Sequence, residues 1–230
     1  MNRLATLAAA LQQGEPIAID GALFDMDGTI VDSIPAVEGA WRIWAAEHGL
    51  PVPPSSMHGK TAGAVVRASG LAVSDRARAE ARLAEIEARP GQTLRSLPGA
   101  QALLDALPDG RWGVVTSAAR TVAAARLEAT ELPEPAFRVT GGDVTQSKPD
   151  AEPFLLGIKH LADRGHTGIV IAFEDTVAGA TSAAAAGCLV IGVLGTDSRE
   201  QLERCAHLVV GSLEPIRVES SGDHLLLRIC

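Results

Sequence analysis

The sequence has no run of lysines and arginines and no cysteine pair at CxxC spacing. Nor does it have an uninterrupted apolar stretch of the ~20 residues that a membrane span requires. Each absence removes a class of function. With 20 Lys and Arg against 28 Asp and Glu, the net charge is −8, and nucleic acid is not an expected partner. Cys188, Cys205 and Cys230 lie far apart, so no disulfide framework is expected, and a reducing cytoplasm suits the chain. No internal repeat or low-complexity linker divides it. Hydrophobic residues make up 47% of the 230, which is enough for a substantial core and argues against disorder. The first residues, Met1 to Pro16, pair a basic residue with an apolar stretch too short for a secretory leader. They read as an extra helix packed on the core.

Strand-like and helix-like patterns alternate along most of the chain. Ile17 to Phe24 is an apolar run ending at Asp25 and Asp27. Trp112 to Thr116 and Ile169 to Phe173 repeat the pattern, the second ending at Glu174 and Asp175. Leu189 to Val193 and Leu208 to Val210 are further short apolar strands. Helical patterns fall at residues 100–106, 121–128, 153–161 and 177–186, the last stopped by Gly187. Apolar strands separated by helices predict an α/β fold, a doubly wound parallel sheet covered on both faces. Residues 33–95 break the alternation and carry only helix signals: 34–48, 62–68 and 74–89, with Pro51, Pro53 and Pro54 between the first two. This predicts a core from 1–32 and 96–230, residues 1–16 being an extension, with a helical insertion over 33–95. Residues 216–229 alternate around Ser-Ser-Gly-Asp and predict a terminal hairpin.

In an open α/β sheet, ligands bind beyond the carboxyl ends of the strands. Those ends here carry Asp25 and Asp27, Thr116 and Ser117, and Glu174 and Asp175, with Lys148 between the last two pairs. Carboxylates crowded on one face repel and raise one another's pKa. A hard divalent cation resolves this, and Mg²⁺ takes oxygen ligands while bridging to phosphate. Roles then follow. Asp25 is the carboxylate nucleophile. Asp27, placed by the turn at Gly28, protonates the leaving alkoxide and later activates water. Thr116 and the Ser117 backbone N–H grip phosphoryl oxygens, Lys148 neutralises charge, and Asp175, with Glu174 beside or behind it, holds the metal.

Phe24-Asp-Met-Asp-Gly-Thr-Ile-Val-Asp-Ser33 resembles the first motif of the haloacid dehalogenase superfamily. Val115-Thr-Ser117, Lys148-Pro149 and Phe173-Glu-Asp-Thr-Val-Ala-Gly179 are similar to its other three, in order. The resemblance spans nearly the whole chain after about residue 20. It implies a Rossmann-like core and a helical cap inserted after the first motif. Asp32 to Trp41, His58-Gly-Lys60, Leu97-Pro-Gly99 and Phe173-Glu-Asp175 most resemble small sugar-phosphate and polyol-phosphate phosphatases. This implies Mg²⁺ bound by Asp25, the backbone carbonyl of Asp27, and Asp175. It also implies His58 and Lys60 on the cap facing the leaving group of a small phosphorylated sugar or polyol; apart from the resemblance, a monomer is expected. The chain departs from the pattern in having Thr-Ser-Ala118 for Thr-Ser-Gly, Lys-Pro-Asp-Ala151 without a second proline, and the N-terminal extension.

Plainer readings apply to some residues. Trp41 and Trp44 read as cap core rather than a sugar-stacking platform, and Cys188 as buried and inert. A sugar phosphomutase on the same scaffold is the alternative. Such enzymes usually have Val where Thr29 stands, and a His where Val37 stands. A true dehalogenase lacks an acid at the position of Asp27. An idle binding protein is expected to have lost a motif residue, and none is lost.

Overall fold

The computed structural model describes residues 3–89, 94–221 and 224–230. Helix α1 (Arg3–Gln12) leads into β1 (Ile17–Ile19) and β2 (Gly21–Phe24). A short strand β3 (Val31–Asp32) precedes α2 (Ile34–His48), a 3₁₀ turn at Ser55–Met57, α3 (Ala62–Ala68) and α4 (Val73–Glu87). The chain returns through β4 (Arg95–Ser96), α5 (Ala100–Asp105), β5 (Trp112–Val115), α6 (Arg120–Thr130) and β6 (Arg138–Val139). It continues through α7 (Glu152–Ala162), β7 (Val170–Glu174), α8 (Val177–Ala185), β8 (Leu189–Val193), α9 (Arg199–Leu202) and β9 (Leu208–Val210). Strands β10 (Ile216–Ser221) and β11 (His224–Ile229) close it.

The main sheet has the order β6-β5-β2-β7-β8-β9, with every neighbouring pair parallel. Strand residues point alternately to its two faces. Ala22, Phe24, Trp112, Val114, Ile171 and Phe173 join one apolar layer. Leu23, Val115, Val170 and Ala172 join the other, with Phe154 and Leu161 of α7. The Phe24 and Phe173 rings stack at 4.7 Å. Burial on both faces explains the unbroken apolar runs in the sequence. Strand order runs one way from β2 to β5 and β6, and the other way from β2 to β7, β8 and β9. The switch point, where a crevice opens beyond the strand ends, therefore lies at β2 with its neighbours β5 and β7.

Three features differ from the sequence pattern. Ile17 to Phe24, predicted as one strand, is two. Asp20 breaks it by accepting the Ile169 N–H at its carboxylate (3.0 Å) while donating its own N–H to the Ile169 carbonyl (2.8 Å). Strand β1 then turns away to pair antiparallel with β11. The short strands β3 and β4 pair antiparallel, Val31 with Ser96 and Asp32 with Arg95, and have no periodic signature at two residues each. Strand β6 is equally short and lies at the sheet edge. The tail forms the expected hairpin of β10 and β11, but the Gly222-Asp223 part of its expected turn lies outside the described residues.

Helices α2, α3 and α4 share an apolar centre of their own, with Val37, Trp41, Trp44, Val65, Leu83 and Ile86 buried in it. Trp44 anchors it by donating its indole N–H to the Ala79 carbonyl at 2.8 Å. Helix α1 adds Ala8 and Leu11 to the sheet core. Among the described residues no helix is long and apolar enough to cross a membrane.

Candidate active site

The crevice at the switch point is built from three adjacent strand ends. Asp25 follows β2 and is 7% exposed. Its N–H donates to the Phe173 carbonyl at 3.0 Å, which sets it beside the end of β7. Thr116 follows β5, and its N–H donates to the Val139 carbonyl at 2.9 Å. Glu174 ends β7, and Asp175 follows; both are fully buried.

Lys148 ties these ends together from below. Its Nζ donates to Asp25 Oδ1 (2.6 Å), Glu174 Oε1 (2.6 Å) and the Val115 carbonyl (2.8 Å), which uses all three ammonium protons. Glu174 Oε2 accepts from the Asp175 N–H (3.1 Å), the Thr176 N–H (3.2 Å) and Thr176 Oγ1 (3.0 Å). Both Glu174 oxygens are therefore engaged by protein donors. Thr176 also caps α8, its hydroxyl accepting the Gly179 N–H at 3.1 Å. Gly179 is required at that place, because a Cβ there would overlap the Glu174 carboxylate. Asp175 Oδ2 accepts the Thr196 N–H at 3.0 Å, and Oδ1 faces Thr29 Oγ1 at 3.4 Å.

Ligand atoms of Asp25, Glu174 and Asp175 all lie within 4.8 Å of one another. Burial pushes the Asp25 carboxyl well up; Lys148 pulls it back, and the neighbouring carboxylates push it further. Burial, then Glu174, raise Asp175 to about 7 against the opposing hydrogen bonds from Thr196. Burial alone would lower Lys148, but Asp25 and Glu174 outweigh it and hold the ammonium strongly protonated. Three carboxylates thus face one ammonium in a buried space. The all-oxygen donor set fits a hard divalent cation.

Asp27 stands above this floor on a tight turn. The Met26 carbonyl accepts the N–H groups of Ile30 (3.1 Å) and Val31 (2.9 Å). Gly28 takes φ +85°, and a Cβ there would overlap the Asp175 carboxylate. Asp27 Oδ1 accepts from Ser33 Oγ at 2.5 Å, and Oδ2 from Arg126 Nη1 at 2.7 Å. Thr116 Oγ1 accepts the Ala118 N–H at 3.1 Å. Ser117 uses its hydroxyl elsewhere, donating to the Gly59 carbonyl at 2.7 Å.

One cleft exposes the rest: Asp25, Asp27, Thr116 and Ser117 line it from the sheet side, and His58 and Lys60 from the helical side. His58 stacks on Trp41 with ring centroids 4.7 Å apart, and its Nε2 lies 3.5 Å from Glu38 Oε1. Trp41 therefore both packs among α2–α4, as the sequence predicts, and forms part of the cleft wall; Trp44 packs and hydrogen-bonds within the helices, away from the cleft. Cys188 is buried, and burial pushes its thiol up to about 12.

Sequence reasoning missed Ser33, Glu38, Glu87 and Arg126. Arg126 had a usable signal. It sits in the buried stripe Val122, Ala123, Arg126, Leu127 of α6, and a charge in an apolar stripe needs a partner.

Residues 19–187 match a family model described as haloacid dehalogenase-like hydrolase. Hexitol phosphatase A of Escherichia coli (strain K12) is 40% identical over 214 residues, covering 90% of this chain and 98% of that protein. Glycerol-1-phosphate phosphohydrolase 2 of Saccharomyces cerevisiae is 32% identical over 219 residues, covering 88% of this chain and 86% of that protein. Among solved structures, a hydrolase from Pseudomonas syringae superposes with a TM-score of 0.74 at 23% identity, covering 84% of this chain and 94% of that one. This likeness extends to the fold.

Proposed function

Because the chain belongs to the haloacid dehalogenase-like hydrolase family, we propose that it hydrolyses a phosphate monoester of a small sugar or polyol through an aspartyl-phosphate on Asp25. It is a phosphoric monoester hydrolase. The observation that carries the reading is the Lys148 ammonium held 2.6 Å from both Asp25 and Glu174 beneath a cleft lined by Asp25, Asp27 and Thr116. The family's divalent cation is Mg²⁺ in this reading. Asp25, Asp175 and the Asp27 carbonyl would hold it, and it would supply positive charge against the phosphoryl oxygens. Glu174, whose Oε1 takes Lys148 and whose Oε2 takes three donors, holds Lys148 and the α8 cap, whereas Asp175 Oδ1 has only the long 3.4 Å contact from Thr29 and is the freer ligand atom.

An Asp25 oxygen attacks phosphorus, the bond from phosphorus to the leaving oxygen breaks, and Asp27 gives that oxygen its proton. The alcohol departs. Water then attacks the acyl phosphate and loses a proton to Asp27, and inorganic phosphate leaves with Asp25 restored. Thr116 and the Ser117 N–H orient the phosphoryl oxygens, and Lys148 offsets charge on Asp25. Residues 33–95 act as a cap, through which His58 and Lys60 meet the hydroxyl-bearing leaving group. Val37 lines the cleft without a titratable group, which supports water rather than a second sugar as acceptor. The net charge of −8 and the absence of a basic run support a small-molecule substrate over nucleic acid; the reading takes the enzyme as a monomer acting in the cytoplasm.

The test is a panel of glycerol, hexitol and hexose phosphates assayed with Mg²⁺ and with EDTA. Phosphate release with Mg²⁺, lost in EDTA, is expected. No release from any ester, or isomerised sugar phosphate without free phosphate, would overturn the reading.

A further inference from the structure

The proposed acid and base, Asp27, is held by a group outside the four motifs. Arg126 rises from α6, and its side chain is 4% exposed. A buried guanidinium is stable only with opposite charge beside it. It has two such partners. Nη1 donates to Asp27 Oδ2 at 2.7 Å, and Nη2 lies 3.8 Å from Glu87 Oε1. Its Nε makes no hydrogen bond among the described residues, so the two carboxylates alone set where the guanidinium lies. The other Asp27 oxygen is held by Ser33 at 2.5 Å. Both oxygens are thus directed, although the Asp27 side chain is 21% exposed.

The origins of these partners matter. Arg126 belongs to a helix of the sheet layer. Glu87 is the last residue of α4, in the helical insertion. The Arg126 to Asp27 contact spans 99 positions, and the link to Glu87 ties it to the helices that cover the cleft. We infer that Arg126 is a positioning residue for Asp27, and that Glu87 holds its guanidinium from the far side, so that the proton-transfer group is aimed by the seating of α4 on α6.

This rests on the phosphatase reading and refines it. A residue that aims a proton donor matters most where the leaving oxygen needs a proton. An alkoxide needs one; p-nitrophenolate leaves without it. Alcohol release in the first turnover isolates that step from hydrolysis of the acyl phosphate, which is common to both esters. The experiment compares wild type, Arg126→Met, Arg126→Lys and Glu87→Gln with Mg²⁺ at pH 8, on glycerol 1-phosphate and p-nitrophenyl phosphate.

For Arg126→Met, first-turnover release of glycerol should fall by about 100-fold, the lower end of a general acid's contribution. Release of p-nitrophenol should fall less than about tenfold, and KM should change little. Arg126→Lys should recover part of the loss. Glu87→Gln should give the same selective pattern at about three- to tenfold. If Arg126→Met fails to fold, as judged by circular dichroism, Glu87→Gln decides alone. Equal losses on both esters, or a rise in KM with unchanged turnover, would overturn the assignment. Wild type inactive on these two esters and on the whole panel would instead overturn the phosphatase reading, so the two failures are distinguishable.

Discussion

At the scale of single residues, the cleft floor is a charge problem solved by position. Asp25 and Glu174 share one ammonium, and each is 2.6 Å from it. Asp25→Asn should fold normally and turn over below about a thousandth of the wild-type rate, checked by phosphate release beside a thermal melt. Gly179→Ala is an overpacking change, because its methyl meets the Glu174 carboxylate. It should cost about 1–3 kcal/mol in denaturant unfolding and slow turnover by displacing Lys148. Thiols give a contrast. Cys230 is exposed and Cys188 buried, and the thiolate is the reactive form. Ellman's reagent should label Cys230 in the native enzyme and reach Cys188 only after unfolding. Asp25, Thr116 and Asp175 were legible in the sequence because each follows an apolar run that ends at a known edge of the sheet. Arg126, Glu87 and Glu38 were not, because their meaning depends on which distant helix lies opposite, and no spacing encodes that.

At the scale of elements, the division at Asp20 is instructive. A run of apolar residues does not say which sheet it joins; Ile17 and Ile19 pair with the tail, whereas Ala22 to Phe24 pair with β5 and β7. One aspartate hydrogen-bonding the backbone of Ile169 decides it. The helices were easier to read, since their 3.6-residue periodicity is local. The paired strands β3 and β4 are two residues each, too short for any period to show. Helix α1 illustrates an element that supports the fold away from the chemistry. Leu11 is 1% exposed in the sheet core. Leu11→Ala should cost about 2–5 kcal/mol of stability while kcat stays within about twofold, as measured by urea denaturation and steady-state assay.

At the scale of the whole molecule, the helical unit and the sheet layer communicate through charge. Burial raises Glu87 from 4.5 to about 7, against the pull of Arg126 and with a push from Asp27. A carboxyl raised in the folded state favours folding when protonated. Its contribution is fully present below about pH 4.5 and is lost as pH climbs through about 7. A rise of that size corresponds to roughly 3 kcal/mol. The difference in unfolding free energy between pH 5 and pH 8 should therefore shrink in Glu87→Gln by up to that amount. An undiminished difference would place the titration elsewhere.

Ser117 presents a last consequence. Its hydroxyl donates to the Gly59 carbonyl, so the side chain that follows Thr116 fastens the loop bearing His58 and Lys60. The fastening reads no side chain on the loop. Lys60 can therefore be replaced without touching the fastening, provided the loop returns one backbone oxygen to the same point, whereas His58, buried and stacked on Trp41, has packing of its own to lose. In the proposed reading, selectivity at Lys60 and attachment at Gly59 are separable, and a library varying position 60 at constant loop length should keep its members folded.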